Sequence, residues 1–511
     1  MNPKRTAGIL VPLFSMWSRG DLGRGEILDL APMIDFALAM GHRAIQLLPL
    51  DETAPGEGSP YAAMSVFAID PMYISMRERD GFSRAGLARA RKAVAAAEHA
   101  DARETIRREK LALLESLSKS QDDTAQFDAF VSANRYWLDD YALFRALKER
   151  YGWTPWATWP AEIARREPKA MESACRELCT QIETYCYWQF IADRQWSQMR
   201  AYGSVHGALL GGDLAFSPGS DSAEVWAHQD EFDLTRTVGA PPDAFNTNGQ
   251  RWGLPLPKWR AMRENGFKFL RARVQRAAAL YDFVRIDHVV GLYRTFNFSL
   301  EPDSPGDFTP VSEGEQLAQG EEIVRTILDR AGRTGIIAED LGSVPPLVRD
   351  SLSSMGVPGY KVMQWERVNW DGPDETFVSP SAYPELALAT TGTHDTETLV
   401  TWWNGQPLAE REKLLHALGV DARVSPHQTM DGAAREAVLE ALYASPARLV
   451  LIPIQDLFGW SGQINRPGTV DDANWSWRLP APLERLKRSR AIRAQIRTIR
   501  EIAIRTGRFG R

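Results

Sequence analysis

Three short segments of the chain each bring a strand-like stretch to a carboxylate. Residues 284–288 read Val-Arg-Ile-Asp-His, residues 336–342 read Ile-Ile-Ala-Glu-Asp-Leu-Gly, and residues 390–395 read Thr-Thr-Gly-Thr-His-Asp. Parallel barrel strands deliver side chains to one rim in this way, because their carboxyl ends all meet at the same face. Asp287, Glu339 and Asp395 are therefore expected at a shared opening, where such a set of carboxylates can cleave glycosidic bonds.

The first of these carboxylates, Asp287, stands two residues after Arg285. Strand alternation places both side chains on the same face. A neighbouring cation favours the ionised carboxylate, which is the form that a nucleophile requires. A purely structural Arg/Asp pair at a strand end is the alternative interpretation.

The other two segments offer a general acid and a hydroxyl-binding pair. Glu339 suits a general acid if its surroundings raise its pKa, although taken alone it could equally be a salt-bridge partner. Its neighbour Asp340 points to the other face and is expected to cap the following segment. His394 and Asp395 can hold sugar hydroxyls as the ring flattens. A metal site with His288 is a competing idea, but the histidines are not closely spaced on one element, so no metal is predicted.

Eight short apolar runs end in polar, Gly or Pro residues, and helical patterns lie between several of them. We predict that these runs are strands. They are residues 8–12, 44–49, 208–213, 283–287, 335–339, 361–366, 386–391 and 448–455. Eight strand-helix units indicate an α/β chain with a (β/α)8 TIM barrel, whose active site lies at the carboxyl ends of the strands.

Two segments depart from this strand-helix pattern. Residues 81–170 are rich in Ala, Arg and Glu with helical periodicity, which predicts a helical insertion subdomain. Residues 214–262 contain many Pro, Gly, Asn, Asp and Trp residues with little periodicity, which predicts a long aromatic loop region over the active-site face. The predicted division is 1–80 (barrel strands 1 and 2), 81–170, 171–213 (barrel through strand 3), 214–262, and 263–511 (the remainder of the barrel). No C-terminal β-sandwich domain is expected after the eighth strand.

The charge composition and the absence of targeting patterns limit the kinds of partner expected for this protein. The 511 residues include 60 Lys and Arg against 66 Asp and Glu, for a net charge of -6, so no basic field is expected to attract nucleic acid or an anionic membrane. A signal-peptide pattern and a membrane-spanning apolar run are both missing, which predicts a cytoplasmic protein. Cys175, Cys179 and Cys186 lack the second pair that a zinc site would need and are expected to be buried thiols.

Aromatic residues are numerous, with 17 tryptophans. Sugars stack their C–H faces on aromatic rings while polar groups bind their rims. Tyr61, Phe245, Gln250 and Trp252 fall outside periodic segments, so we expect them in loops that line a groove. The tryptophans in helical segments are expected to pack in the core; they are Trp137, Trp188, Trp196, Trp402 and Trp403.

Longer motifs extend in order through nearly the whole chain. They are Leu10-Val-Pro-Leu-Phe-Ser, Gln46-Leu-Leu-Pro-Leu, Ser59-Pro-Tyr, Asp221-Ser-Ala-Glu-Val-Trp-Ala, Pro241-Pro-Asp, Gly249-Gln-Arg-Trp-Gly, Ala338-Glu-Asp-Leu-Gly, Pro358-Gly-Tyr-Lys-Val, Asn465-Arg-Pro-Gly-Thr-Val and Asn474-Trp-Ser-Trp-Arg. Together they resemble the 4-α-glucanotransferases, also called amylomaltases or disproportionating enzymes, of the α-amylase clan.

The resemblance implies a role for each of the three acids. Asp287 would be the nucleophile, Glu339 the acid and then the base, and Asp395 the stabiliser of the transition state. Arg285, His394 and Asp213 would contact the sugar in the cleavage subsite, and Tyr61 would stack on it. The full predicted substrate-binding set is Arg285, His394, Tyr61, Asp213, Ser59, Phe245, Gln250, Trp252 and Asn465.

The implied reaction is transfer of α-1,4-glucan segments between maltooligosaccharides or amylose, with retention, through a covalent glycosyl-Asp287 intermediate. The partners would be a glucan donor and a glucose or oligosaccharide acceptor, without a cofactor, in maltose, glycogen or starch metabolism. Two alternatives remain open at this point: an α-glucan hydrolase that uses the same acids, and a catalytically silent glucan-binding protein.

The chain departs from the family pattern in three places. Residues 254–259 read Leu-Pro-Leu-Pro-Lys-Trp where the family usually continues with Asn-Pro and a Tyr. Residues 18–21 read Ser-Arg-Gly-Asp, and residues 212–215 read Gly-Asp-Leu-Ala. None of the three includes a catalytic acid, so the expected consequences concern acceptor preference and rate.

Overall fold

The structure, a computed structural model, describes residues 5–77, 80–97, 102–118, 124–242, 249–301, 304–369, 372, 374–420, 423–469 and 471–509. The strands in this part of the chain are β1 (Thr6–Leu10), β2 (Ala44–Gln46), β3 (Leu209–Leu214), β4 (Phe232–Ala240), β5 (Gln250–Pro257), β6 (Phe283–Ile286), β7 (Thr295–Ser299), β8 (Asp307–Thr309), β9 (Gly335–Ala338), β10 (Gly359–Val362), β11 (Arg367–Val368), β12 (Thr376–Phe377), β13 (Ala387–Thr390) and β14 (Leu449–Pro453).

The α-helices of the same part of the chain surround the strands. They are α1 (Leu30–Ala39), α2 (Arg84–Ala96), α3 (Ala102–Ser118), α4 (Thr124–Arg150), α5 (Ala161–Ala164), α6 (Pro168–Glu177), α7 (Cys179–His206), α8 (Ala223–Ala227), α9 (Trp259–Glu264), α10 (Lys268–Leu280), α11 (Val290–Tyr293), α12 (Glu313–Ala331), α13 (Pro346–Ser354), α14 (Leu399–Gly405), α15 (Leu408–Leu418), α16 (Gly432–Ala444), α17 (Ile454–Phe458), α18 (Leu483–Leu486) and α19 (Arg490–Arg505). Among the residues described, no helix combines the length and apolarity that crossing a membrane requires.

Eight parallel strands form the barrel in the order β10-β13-β14-β1-β2-β3-β6-β9. The Ala338 amide donates to the Pro358 carbonyl at 2.9 Å and so joins the two ends of the sheet. Every predicted strand run overlaps one of these eight strands, and the predicted (β/α)8 barrel is confirmed. The bounds of β10 are the least accurate, because the strand runs over Gly359–Val362 whereas the sequence predicts residues 361–366.

The start of β10 is set by a contact from the previous strand. The Tyr360 amide donates to Asp340 Oδ1 at 2.7 Å, and a Cβ on Gly359 would lie 2.6 Å from both carboxylate oxygens of Asp340. Only glycine fits against that carboxylate. The expectation that Asp340 caps the following segment is therefore wrong, because its carboxylate binds the neighbouring strand and helps to close the barrel.

Side chains that point into the barrel make a small apolar core beneath the site. They are Ala44, Phe283, Ile337, Tyr360, Val362, Leu388, Leu449 and Leu451. Gly211 makes room for one of them, because a Cβ there would lie 2.1 Å from the Phe283 ring. Since strand side chains alternate, Arg285 forms the next inward layer above Phe283, and Asp287 follows it at the rim.

The helices between β2 and β3 pack on the barrel through buried charges as well as apolar contacts. Lys110 on α3 reaches Glu26 at 2.7 Å, and both side chains are fully buried. Breaking such a pair by removing one partner typically costs about 3–5 kcal/mol, because the other charge stays buried alone. The pair therefore fixes α3 against the segment between β1 and α1. Trp137, Trp188, Trp196 and Trp403 are buried as predicted, whereas Trp402 is only partly buried.

Residues 214–262 are less irregular than their composition indicates. β4 pairs antiparallel with β5 and with β7, within a four-stranded sheet of order β5-β4-β7-β8. The expectation that Gln250 and Trp252 lie in loops is wrong, since both are in β5. Two register shifts in the β4–β5 ladder interrupt the alternation, and Pro255 and Pro257 lie within β5, so the usual strand signals are absent.

The cysteines are all free thiols, but only Cys186 is buried. Cys175 and Cys179 are exposed, so the expectation of buried thiols is wrong for both. The reason is a helix boundary: α6 ends at Glu177 and α7 begins at Cys179. The two residues therefore belong to different helices rather than to one buried helical face.

Candidate active site

The centre of the site is the guanidinium of Arg285, which β6 carries into the barrel. Its Nη1 atom lies 2.8 Å from Asp287 Oδ1, and its Nη2 atom lies 3.9 Å from Glu339 Oε2. Nη1 also donates to both carboxylate oxygens of Asp213, at 2.8 and 2.9 Å. Arg285 thus contacts carboxylates at the ends of β3, β6 and β9. The predicted convergence of Asp287 and Glu339 is observed, since both lie within 3.9 Å of its guanidinium.

Glu339 is held in an environment that favours its protonated form. Its carboxylate accepts hydrogen bonds from the His288 amide at 2.6 Å and the Leu341 amide at 3.1 Å. Burial nevertheless raises the pKa of Glu339 to about 7, against the opposing effects of Arg285 and these two amides, and with a further contribution from the Asp287 charge. A carboxyl with this pKa holds a proton near neutrality and can donate it.

The guanidinium of Arg285 lies closer to Asp287 than to Glu339. With an effective dielectric constant of about 20, a unit charge at the Asp287 distance is attracted by about 6 kcal/mol and one at the Glu339 distance by about 4 kcal/mol. Both oxygens of Asp213 also lie within 2.9 Å of Nη1, but burial outweighs the attraction of Arg285 and raises the pKa of Asp213. Arg285 is therefore placed to attract a charge on Asp287 more strongly than a charge on Glu339.

The third predicted acid, Asp395, follows β13 and is bound on both oxygens. Oδ2 lies 3.3 Å from His394 Nε2, and Oδ1 accepts from Asn465 Nδ2 at 2.6 Å. Burial raises the pKa of Asp395, but His394, Asn465 and Arg285 outweigh it and hold the pKa below its usual value. Burial lowers the pKa of His394, but Asp395, with a smaller contribution from Asp213, raises it, and the net result is a pKa above the usual value. The result is an ionised carboxylate beside an imidazole that tends to be protonated.

Tyr61 contacts both Asp213, near the end of β3, and His394, which follows β13. Its hydroxyl donates to Asp213 Oδ2 at 2.7 Å, and its ring stacks on the His394 ring at 5.3 Å with an interplanar angle of 17°. The Tyr61 amide donates to Ser59 Oγ at 3.2 Å. The Asp213 side chain has no accessible surface, so in this structure it contacts Arg285 and Tyr61. A direct contact between Asp213 and sugar stays a prediction.

Trp252 on β5 contacts His288, and Gln250 on the same strand contacts Trp252. Trp252 Nε1 donates to Gln250 Oε1 at 3.1 Å, and the Trp252 ring meets the His288 ring edge-on at 4.8 Å. His288 follows Asp287 directly and has a φ of 47°. Phe245 lies outside the described residues. These contacts place the Trp252 ring against His288, the residue that follows Asp287.

Two aromatic residues of the site were missed by the sequence reasoning. The Tyr360 ring lies 5.9 Å from the Arg285 guanidinium, and its inward position on β10 could have indicated this contact. Trp475 packs against both Tyr61 and His394. Its only sequence signal is the motif Asn474-Trp-Ser-Trp-Arg, which by itself says nothing about the partners of the ring.

Carboxyl groups gathered around a buried arginine, one of them with a raised pKa, and flanking aromatic rings at the carboxyl ends of barrel strands define a glycoside-cleaving barrel enzyme. The sequence model of the family described as 4-alpha-glucanotransferase matches residues 11–484. The chain is 32% identical to a 4-alpha-glucanotransferase of Thermus thermophilus over 512 residues, with 94% of this chain and 95% of the relative covered. It is 30% identical to that of Chlamydia pneumoniae over 502 residues, with 94% and 92% covered.

A solved structure agrees with these relatives. The amylomaltase from Streptococcus agalactiae in complex with acarbose superposes with a TM-score of 0.80 at 26% identity, and the match covers 99% of this chain and 100% of the other. The chain belongs to the 4-alpha-glucanotransferase family, and it is a transferase of the amylomaltase type.

Proposed function

We propose that transfer proceeds by double displacement at Asp287 and Glu339. The Asp287 carboxylate attacks the anomeric carbon of the donor while Glu339 protonates the departing glycosidic oxygen, which leaves a glycosyl ester on Asp287. Glu339, now ionised, takes the proton from the 4-hydroxyl of an acceptor sugar. That oxygen bonds to the anomeric carbon, the ester breaks, and Asp287 is restored. The observation that carries the proposal is the Arg285 guanidinium between the two carboxyls.

The remaining residues would bind and orient the sugar. Asp395 would strengthen its hydrogen bonds to ring hydroxyls as positive charge develops in the transition state. His394, whose raised pKa favours the protonated form, would donate to another hydroxyl. The further substrate contacts are proposed for Arg285, Asp213, Tyr61, Ser59, Asn465, Gln250, Trp252 and Phe245.

The proposed donors are maltooligosaccharides and amylose, and the proposed acceptors are glucose and oligosaccharides with a free 4-hydroxyl. No cofactor is needed for the steps above, because the protein supplies both the nucleophile and the acid. The cytoplasmic location stays a prediction; three free thiols fit a reducing compartment.

Incubation with maltotriose alone tests this assignment of substrates. We expect glucose together with maltopentaose and longer chains, because the sugar on Asp287 should pass to another maltotriose. The products are separated by chromatography with pulsed amperometric detection. Glucose and maltose without longer chains would contradict transfer to a sugar acceptor.

The pKa of Glu339 predicts the pH dependence of the first step. The acid must hold its proton when the donor binds, and its pKa in the free enzyme is about 7, so kcat/KM for maltotriose should fall as the pH rises through about 7. Profiles recorded between about pH 5 and pH 9 would show this limb. The limb should be absent when α-maltotriosyl fluoride is the donor, since fluoride leaves without a proton. A profile for maltotriose that stays level up to about pH 9 would contradict the acid role of Glu339.

A further inference from the structure

Trp475 completes a cluster of three rings at the edge of the site. Its ring centroid lies 5.8 Å from that of Tyr61 and 5.8 Å from that of His394, while Tyr61 and His394 stack on each other at 5.3 Å. Each ring therefore contacts the other two. Of these three residues, only Tyr61 and His394 contact carboxylates of the site through polar groups, Tyr61 at Asp213 and His394 at Asp395.

The backbone at Trp475 adopts a conformation that bulky residues rarely take. Its φ is 59°, in the left-handed region where a Cβ crowds the backbone. Two contacts hold the chain there: the Trp475 amide donates to the Ile464 carbonyl at 2.7 Å, and the Arg466 amide donates to Asn474 Oδ1 at 3.0 Å. The described residues 464–469 and 471–475 are thus held in a loop whose two ends meet, and the indole ring of Trp475 packs against Tyr61 and His394.

The same loop also holds Asp395. The Asn465 amide donates to the His394 carbonyl at 3.1 Å, and Asn465 Nδ2 donates to Asp395 Oδ1 at 2.6 Å. The loop therefore binds His394 through its backbone and through its ring, and it binds the carboxylate next in sequence. Loss of the Trp475 ring would remove a packing contact from both Tyr61 and His394.

We propose that Trp475 is a positioning residue of the transferase site. Its indole fixes the ring planes of Tyr61 and His394, so that the Tyr61 hydroxyl stays on Asp213 and the His394 imidazole stays on Asp395. The inference rests on the proposed function, because it assigns Trp475 an effect on the rate of transfer. It predicts that loss of the ring lowers kcat more than it raises KM, since the groups that are displaced act mainly in the transition state.

The test compares Trp475→Asn with Trp477→Asn. Asparagine tolerates the left-handed conformation, so the first variant keeps the loop backbone and loses only the ring. Trp477 lies two residues further on and packs against Trp460 and Gly462 instead of the site rings. For Trp475→Asn we expect kcat for maltotriose to fall about 10- to 100-fold, as for a displacement of catalytic groups by about 1 Å. Trp477→Asn should keep kcat near that of the parent enzyme.

The kinetics of these variants decide between positioning and simple packing. Partial rescue of kcat by Trp475→Phe, with KM nearly constant through the series, would support positioning. A parental kcat in Trp475→Asn, or an equal loss in Trp477→Asn, would overturn it. If Trp475→Asn does not fold, a level kcat across the parent, Trp475→Phe and Trp475→Leu would overturn it, and a graded fall would support it. Failure of the parent enzyme itself to lengthen maltotriose would refute the proposed function instead.

Discussion

Replacing Asp287 with asparagine is expected to lower kcat/KM for maltotriose by at least about 10⁴-fold, because the reaction loses its nucleophile. The amide has nearly the shape of the carboxylate but cannot form a glycosyl ester. Arg285 keeps its two hydrogen bonds to Asp213, so the barrel rim should keep its arrangement. The rate of glucose release from maltotriose, measured at several enzyme concentrations, gives the loss directly.

Asp193→Asn is the matched control for this variant. Asp193 also pairs with an arginine, since Arg276 Nη1 lies 2.7 Å from Asp193 Oδ1, and 29% of its side chain is exposed against 25% for Asp287. Loss of an equally exposed ion pair outside the site should leave turnover close to that of the parent. Near-parental activity of Asp287→Asn, or an equal loss in both variants, would show that Asp287 is not the nucleophile.

Replacing Glu339 with glutamine is expected to affect two donors very differently. Turnover of maltotriose should fall about 10²- to 10⁴-fold, the usual contribution of a general acid. With α-maltotriosyl fluoride the loss in the first step should be much smaller, since fluoride departs without protonation. Fluoride release, followed with an ion-selective electrode in the first turnover, isolates that step from the later transfer to an acceptor.

Glu224→Gln is the matched control for Glu339→Gln. It shows how much activity is lost when a buried carboxyl outside the acid role is replaced. Glu224 is buried, its pKa is likewise raised to about 7 by burial, and it accepts hydrogen bonds from Ser65 Oγ and the Val66 amide. Within the part of the chain that the structure describes, Glu224 forms no hydrogen bond or ion pair with Arg285. Its replacement should leave the ratio of the two donor rates unchanged. Equal losses on both donors in Glu339→Gln would count against Glu339 as the acid.

The sequence predicts those parts of the site whose signal is local. Arg285 and Asp287 are separated by two positions on one strand, so alternation alone places them together, and Glu339 stands at the end of an apolar run. The eight barrel strands are found for the same reason, because each is a short apolar stretch with its own boundaries. The prediction is least accurate for β10, where the run 361–366 misses Gly359 and Tyr360, two residues that contact the Asp340 carboxylate after the preceding strand.

Features that depend on contacts between residues far apart in the sequence could not be predicted from it. The β4–β5 pair is supported by β7, which follows β6 in the chain, and its register shifts remove the alternating pattern. The burial of Asp213 follows from Arg285 and Tyr61 closing over its carboxylate. The position of Trp475 depends on its hydrogen bond to Ile464 and on the hydrogen bond between Arg466 and Asn474, and no periodicity of the sequence indicates these contacts.

Peptide mass spectrometry of Glu339→Gln, quenched shortly after mixing with α-maltotriosyl fluoride, tests the covalent role of Asp287 most directly. In this variant the glycosyl ester should form, because the donor needs no acid, and should persist, because the base for the acceptor is missing. We expect one maltotriosyl group on the peptide that contains Asp287. An adduct on a different residue, or fluoride release without any adduct, would contradict the proposed double displacement.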